Sequence, residues 1–116
     1  MPYIKLRTIP TFESKEKYQA AKDITENLAQ ILSKPESTIM LDIQSADTLF
    51  LGGAELSNGA FVEISVFGEA SDNAKEVANK FICDYLKTTL SISAENIYVS
   101  YFDKEEWGYK GSYISK

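Results

Sequence analysis

Met1-Pro2-Tyr3-Ile4-Lys5-Leu6-Arg7-Thr8-Ile9 opens the chain, and a stretch of the same character, Ala60-Phe61-Val62-Glu63-Ile64-Ser65-Val66-Phe67, returns in its second half. In each, aliphatic residues alternate with polar ones: Ile4 and Leu6 against Lys5 and Arg7, then Val62, Ile64 and Val66 against Glu63 and Ser65. A period of two marks a half-buried strand. The copies align at a constant offset, with Phe61 lying 58 residues after Tyr3. Carried along the chain without gaps, the offset places Ser14 over Asp72, Ile24 over Ile82, Leu28 over Leu86, Leu32-Ser33 over Leu90-Ser91 and Ile39 over Ile97. A helix start, a helix face and a strand register therefore recur together, which points to a duplicated unit.

Pro10 ends the first strand. Tyr18, Ala21, Thr25, Leu28 and Leu32, with Ile24 and Ile31 beside them, then recur at helical spacing. The pattern predicts a helix over 14–32, with Ser14 as N-cap and Lys17 where a capping box would have Glu. It stops before Ser33-Lys34-Pro35, because proline restricts the residue ahead of it. Ile39, Leu41 and Ile43 alternate as a strand over 38–44, and 48–51 is a short extended piece broken by Gly52-Gly53. Ser57-Asn58-Gly59 is a turn signal. After Gly68, Asp72 is the expected N-cap of a second helix running to Leu90, carried by Ala74, Val77, Ala78, Phe81, Tyr85 and Leu86. Ile97, Val99 and Tyr101 alternate against Tyr98, Ser100 and Phe102 in a last strand. Trp107-Gly108-Tyr109 and Gly111-Ser112-Tyr113-Ile114 suit a hairpin.

The expected architecture is a two-layer α+β domain over 1–116, made of pseudo-repeats at about 2–57 and 60–116. Each β-α-β unit pairs its strands in parallel through a right-handed crossover. Together they give one four-stranded mixed sheet with both helices on one face. The other face would carry Lys5, Arg7, Met40, Asp42, Glu63, Ser65, Tyr98 and Ser100. Sheets with parallel strands rarely leave a face bare, and their edges need covering. That favours a closed homo-oligomer with a wet centre, the extra strands capping neighbours' edges. A monomeric sandwich with a polar outer face is the other arrangement open to this composition.

Composition narrows the function. Of 116 residues, 44% are hydrophobic and 25% charged, which is ordinary for a globular chain, and no apolar run reaches membrane-spanning length. A net charge of −5 argues against nucleic-acid and anionic-membrane partners. One cysteine, Cys83, excludes an internal disulfide and a cysteine-rich zinc site, and no metal-ligand cluster is expected. The start lacks a basic segment followed by an apolar one, so the chain reads as cytoplasmic, or as secreted without a leader.

Pro2 carries the chemical interest. A small residue after the initiator Met allows that Met to be clipped, leaving a secondary amine. An α-amino group titrates near 7.7–8.0, and apolar surroundings lower that value. The chain has no histidine, and such an amine would serve as a base near neutral pH. Proline at the first position of a strand also has a purely structural use, since it has no N–H to leave unpaired. Lys34 alone would be a solvated loop charge, Tyr98 a sheet-packing residue, and Trp107, Tyr109 and Tyr113 either a pocket wall or an oligomer contact. Gly52-Gly53 and Gly68 lack a phosphate-loop pattern and read as backbone requirements.

Taken together, Met1-Pro2, Lys34-Pro35, Phe50-Leu51-Gly52-Gly53, Phe67-Gly68, the run Ile92-Ser93 through Ile97-Tyr98-Val99-Ser100-Tyr101-Phe102-Asp103, and the tail Trp107-Gly108-Tyr109 with Gly111-Ser112-Tyr113 resemble the tautomerase superfamily. The branch of macrophage migration inhibitory factor and D-dopachrome tautomerase is most similar, over the whole chain. The resemblance implies a homotrimer with sites between subunits and a cofactor-free keto–enol interconversion of phenylpyruvate-like aryl 2-oxo acids. It implies Pro2 as general base, Lys34 on the substrate carboxylate and the Phe67 N–H on a substrate oxygen. Tyr98 would close the pocket from the neighbouring subunit, with Trp107, Tyr109 and Tyr113 as the aromatic wall.

Three departures from the family pattern bear on these roles. Ser100 stands where mammalian members have Asn, a longer contact to substrate. The loop from Asp103 to Trp107 is short, and Trp107 replaces a small aliphatic, so the rim is reshaped. No Cys-x-x-Cys is present, so thiol-redox activity does not carry over. These departures keep a second expectation beside catalysis, namely a signalling or binding protein with little turnover.

Overall fold

The duplicated pattern becomes a duplicated backbone in the structure, a computed structural model describing residues 1–116. Strand β1 (Pro2–Ile9) leads to helix α1 (Ser14–Leu32), a 3-10 turn at Glu36–Thr38 and strand β2 (Met40–Ser45). A short hairpin follows, β3 (Phe50–Leu51) with β4 (Ala54–Glu55). The second unit is strand β5 (Gly59–Phe67), helix α2 (Asp72–Leu90), a 3-10 turn at Ala94–Asn96 and strand β6 (Ile97–Lys104). A terminal hairpin, β7 (Glu106–Tyr109) with β8 (Ser112–Ser115), closes the chain.

The main sheet has the order β2-β1-β5-β6. Each unit pairs its own strands in parallel, and the two units meet through an antiparallel β1·β5 pair. This is the mixed four-stranded sheet the repeat predicts. The central register sets Pro2 opposite Val66, Ile4 opposite Ile64 and Leu6 opposite Val62. Aliphatic residues thus face aliphatic residues across the junction, and a one-residue slip would turn all of them out of the core. Both helices cover this face, and Ile4, Leu6, Leu28, Val62, Ile64, Val66 and Leu86 are fully buried between the layers.

The helices depart from expectation in detail. The buried stripe of α1 is Ala20, Ile24, Leu28 and Leu32, joined by Ala29, whereas Tyr18 is 82% exposed. At about 100° per residue, Tyr18 points well off the Ile24–Leu28 direction. In α2 the buried set is Ala78, Ile82 and Leu86, and Val77 is 45% exposed. Neither expected N-cap is one. Glu13 caps α1 without a side-chain bond, and Ser71 caps α2, its Oγ accepting the Ala74 N–H at 3.0 Å. Asp72 is instead the first helical residue, where its charge faces the positive end of the helix dipole. The strand expected from residue 38 starts at Met40, since Thr38 closes a 3-10 turn and the parallel register begins at Tyr3–Met40. The Tyr85 hydroxyl on α2 donates to the Asp23 carboxylate of α1 at 2.8 Å, pinning the helices together.

The face away from the helices is mixed, with Met40, Phe61, Tyr98 and Phe102 exposed among polar residues that partly satisfy one another. Tyr3 donates to Asp42 at 2.8 Å, Gln44 donates to the same oxygen at 3.0 Å, and Lys5 stands 4.0 Å from Glu63. No helix is long and apolar enough to cross a membrane. No group of three or more His, Cys, Asp or Glu is placed to hold a metal ion.

Candidate active site

Pro2 begins β1 where a strand can begin without a backbone donor. Its side chain lies on the helix-facing side with Ile4 and Leu6 and is fully buried. Met1 lies over it. The Met1 carbonyl accepts the N–H of Phe67, the last residue of β5, at 3.3 Å. It therefore occupies the donor to which the resemblance assigns a substrate oxygen, and it stands in for a carbonyl at that position. The Met1 amine is held below its ordinary value of 8.0, first by burial and then by the nearby Lys34 charge.

Lys34 reaches this place because of how α1 ends. Ser33 takes the left-handed conformation (φ 55°), and the N–H groups of Ser33 and Lys34 return to the Gln30 and Ala29 carbonyls at 3.2 and 2.9 Å. The chain reverses there, and the Lys34 ammonium donates to the Phe67 carbonyl at 3.3 Å. Both backbone groups of Phe67 are thus engaged, its N–H by Met1 and its carbonyl by Lys34.

An open cleft of about 780 Å³ adjoins Pro2. That volume suits a small ligand. Its walls are Met1 to Tyr3, the segment 37–40, and Lys104 with Glu106 to Tyr109. Trp107 and Tyr109, two residues apart on β7, both line it. Tyr113 does not: it lies opposite Gly108 on β8, and its hydroxyl donates to Glu106. That bond leads, with burial second, in raising the Tyr113 hydroxyl above its usual 10.0.

Tyr98 and Ser100 lie elsewhere in the chain. Tyr98 pairs with Phe61 in the β5·β6 register, five positions of β5 from Val66, the partner of Pro2. That separation is about 17 Å at the strand rise. Tyr98 is 57% exposed, edge-on to Phe61 at 6.4 Å, in an apolar hollow with Phe50, Leu51 and Leu56. Ser100 stands opposite Glu63, and its hydroxyl is buried without a partner. One chain therefore sets Pro2, Trp107 and Tyr109 along the cleft, joins Phe67 and Lys34 to it through Met1, and leaves Tyr98 and Ser100 apart. Cys83 is half-buried, and burial followed by the Asp84 charge pushes its thiol up, away from the reactive thiolate.

Sequence reasoning missed Lys104 and Glu106. The signal was the alternation of β6, which continues past Phe102: even positions share the face of Tyr98, and Lys104 is the next after Phe102. A single residue, Glu105, separates β6 from β7, so the hairpin follows directly on the strand.

Solved structures share this fold throughout. The chain is similar to Leishmania major MIF2 (TM-score 0.88, 19% identity, covering 98% of this chain and 97% of that one). It is similar to the macrophage migration inhibitory factor homologue of Prochlorococcus marinus (TM-score 0.85, 21% identity, 97% and 99%). A third similar structure is Pt0534 inactivated by 2-oxo-3-pentynoate (TM-score 0.84, 14% identity, 97% and 94%). No curated protein matches the chain in sequence. The family model for macrophage migration inhibitory factor matches residues 1–115. With a buried Pro2 at the head of a duplicated β-α-β sheet, the chain belongs to the macrophage migration inhibitory factor family of the tautomerase superfamily.

Proposed function

We propose that this chain, once Met1 is removed, is a cofactor-free keto–enol tautomerase of aryl 2-oxo acids such as phenylpyruvate, working as a homotrimer. The Pro2 nitrogen then ends the chain in a buried position, where desolvation and Lys34 lower its pKa as they lower that of the Met1 amine. The neutral amine takes a proton from the carbon beside the substrate carbonyl and delivers it to the enolate oxygen, and ketonisation runs the same transfer in reverse. The developing enolate oxygen takes the Phe67 N–H that Met1 vacates. Lys34 holds the substrate carboxylate, and Trp107 and Tyr109 line the aromatic wall. Tyr98 and Ser100 act from the neighbouring subunit's side of a shared pocket, which accounts for their distance from Pro2 within one chain, and Tyr113 backs the aromatic wall from β8, opposite Gly108. Inactivation of the similar Pt0534 by a 2-oxo acid supports this substrate class.

The observation that carries the proposal is the Met1 carbonyl on the Phe67 N–H beside Pro2. The test is ketonisation of enol phenylpyruvate followed spectrophotometrically, with intact mass recorded for each preparation and native mass for the trimer. A general base contributes about 10²–10⁴-fold. Pro2→Gly should lower kcat/KM by about 100-fold or more, and full activity in that variant overturns the mechanism. Absence of turnover in the Met1-free protein favours a binding role instead.

A further inference from the structure

Lys104 has no part in the chemistry described above, yet it lines the same cleft as Pro2. It is the last residue of β6, paired across the sheet with Phe67, one strand spacing or about 4.8 Å away. Lys34 approaches Phe67 from the end of α1 and donates to its carbonyl. Two lysines therefore flank one residue from different elements, and Lys104 lines the cleft.

Neither lysine has a counter-ion. The ion pairs of the chain are made by Lys5, Lys75, Lys80 and Lys116, and no carboxylate oxygen lies within 4.0 Å of Lys34 or Lys104. Asp103, the neighbour of Lys104, is held by Lys75 at 2.9 Å. Glu106, the carboxylate of the cleft wall, accepts the Tyr113 hydroxyl. In a chain of net charge −5, Lys34 and Lys104 are two cations without a carboxylate partner beside the one residue Phe67.

The position of Lys104 is also constrained. Its ammonium stands 5.4 Å from the centre of the Phe102 ring. Phe102 faces Ser65, and Ser65 faces Tyr3, a residue of the cleft. The lysine is thus held, with an attraction of the cation–π kind, along the sheet face that carries Tyr3, a residue of the cleft wall.

We propose that Lys104 is a specificity-determining residue that gives the Pro2 cleft a second anion-binding position, so that its preferred ligand is a 2-oxo acid carrying a second anionic group. This rests on taking the Pro2 cleft as the substrate site. One carboxylate pairs with Lys34 and the second with Lys104, whereas a monoanionic aryl acid leaves Lys104 unused.

Trp107 is the chain's one tryptophan and lines the cleft, so its fluorescence reports binding. The full chain, with intact mass recorded, is titrated with 2-oxoglutarate and with phenylpyruvate as wild type, Lys104→Gln and Lys104→Arg. A partly exposed pair contributes up to about 1 kcal/mol, or about fivefold in Kd. The wild type should bind 2-oxoglutarate the more tightly. Lys104→Gln should weaken it about fivefold and leave phenylpyruvate within twofold, and Lys104→Arg should retain it. Equal losses for both ligands, or no loss for 2-oxoglutarate, overturn the proposal. Turnover of enol phenylpyruvate is measured in parallel. Its absence beside Lys104-dependent binding of 2-oxoglutarate defeats the tautomerase reading and leaves this inference standing.

Discussion

The Met1 carbonyl accepts the Phe67 N–H at 3.3 Å, and the next residue, Pro2, is fully buried. On the proposed mechanism, removal of Met1 and binding of ligand are coupled at this one donor. A protein that retains Met1 should bind phenylpyruvate more weakly than the Met1-free form, because the ligand must first displace an internal hydrogen bond worth about 1 kcal/mol. Titration of the two forms, separated by intact mass, checks this. Equal affinity would mean that the Phe67 N–H does not contact the ligand.

The N-terminal amine gives a pH prediction with a definite sign. Burial and then Lys34 lower its pKa below 8.0, so the neutral form gains population on the acid side of that value. Removing the Lys34 charge favours the protonated amine, and Lys34→Ala should shift the titration to higher pH. NMR titration of the amine reads this shift in the Met1-bearing chain. In the Met1-free protein, the acid limb of kcat/KM should move the same way. A limb that stays in place would separate Lys34 from the amine.

Thr8 should be replaceable at a profit in stability. It is fully buried in the helix-facing register of β1, and its hydroxyl has no hydrogen-bond partner. Thr8→Val keeps the shape and removes an unsatisfied polar group, a gain of about 1 kcal/mol. Urea denaturation with an unchanged m-value is the measurement, and a loss of stability would show that the hydroxyl is satisfied in solution.

Ser33 and Ser91 end the two helices at φ values of 55° and 56°. Glycine adopts that conformation without the Cβ clash. Ser33→Gly and Ser91→Gly should each stabilise by about 1 kcal/mol, the left-handed strain of a non-glycine residue being of that order. Thermal unfolding of both variants checks the expectation. Ser33→Gly carries extra information, since a gain in Tm together with a loss of ligand affinity would show that Ser33 also sets the direction of Lys34.

The main strands, the two helices and their offset were legible because each element carries its own period. Ile4 and Leu6 against Lys5 and Arg7 identify a strand whatever else surrounds them. The caps were less legible, because a capping side chain is chosen by one local hydrogen bond, and Ser71 reaches the Ala74 N–H where Asp72 does not. Tyr18 was placed on the wrong face for a related reason: aromatic residues at roughly helical spacing do not say which apolar stripe meets the sheet. In the candidate site, the alternation of β6 gives the face of Lys104 but not the cleft beside it, which forms only when the β7–β8 hairpin and the chain start come together.

The alternation of β1 and β5, the 58-residue offset and the start at Met1-Pro2 were enough by themselves to determine a duplicated β-α-β sheet with helices on one side. Short-range periodicity encodes that much, since burying one face of a strand or helix is a local requirement. Only the tertiary structure decided which distant groups meet: Met1 on Phe67, Lys34 turned back by Ser33, Lys104 beside Trp107, and Tyr98 about 17 Å from Pro2 along the sheet. These juxtapositions depend on strand register and on the left-handed turn after α1, and neither is written in the residues that are brought together.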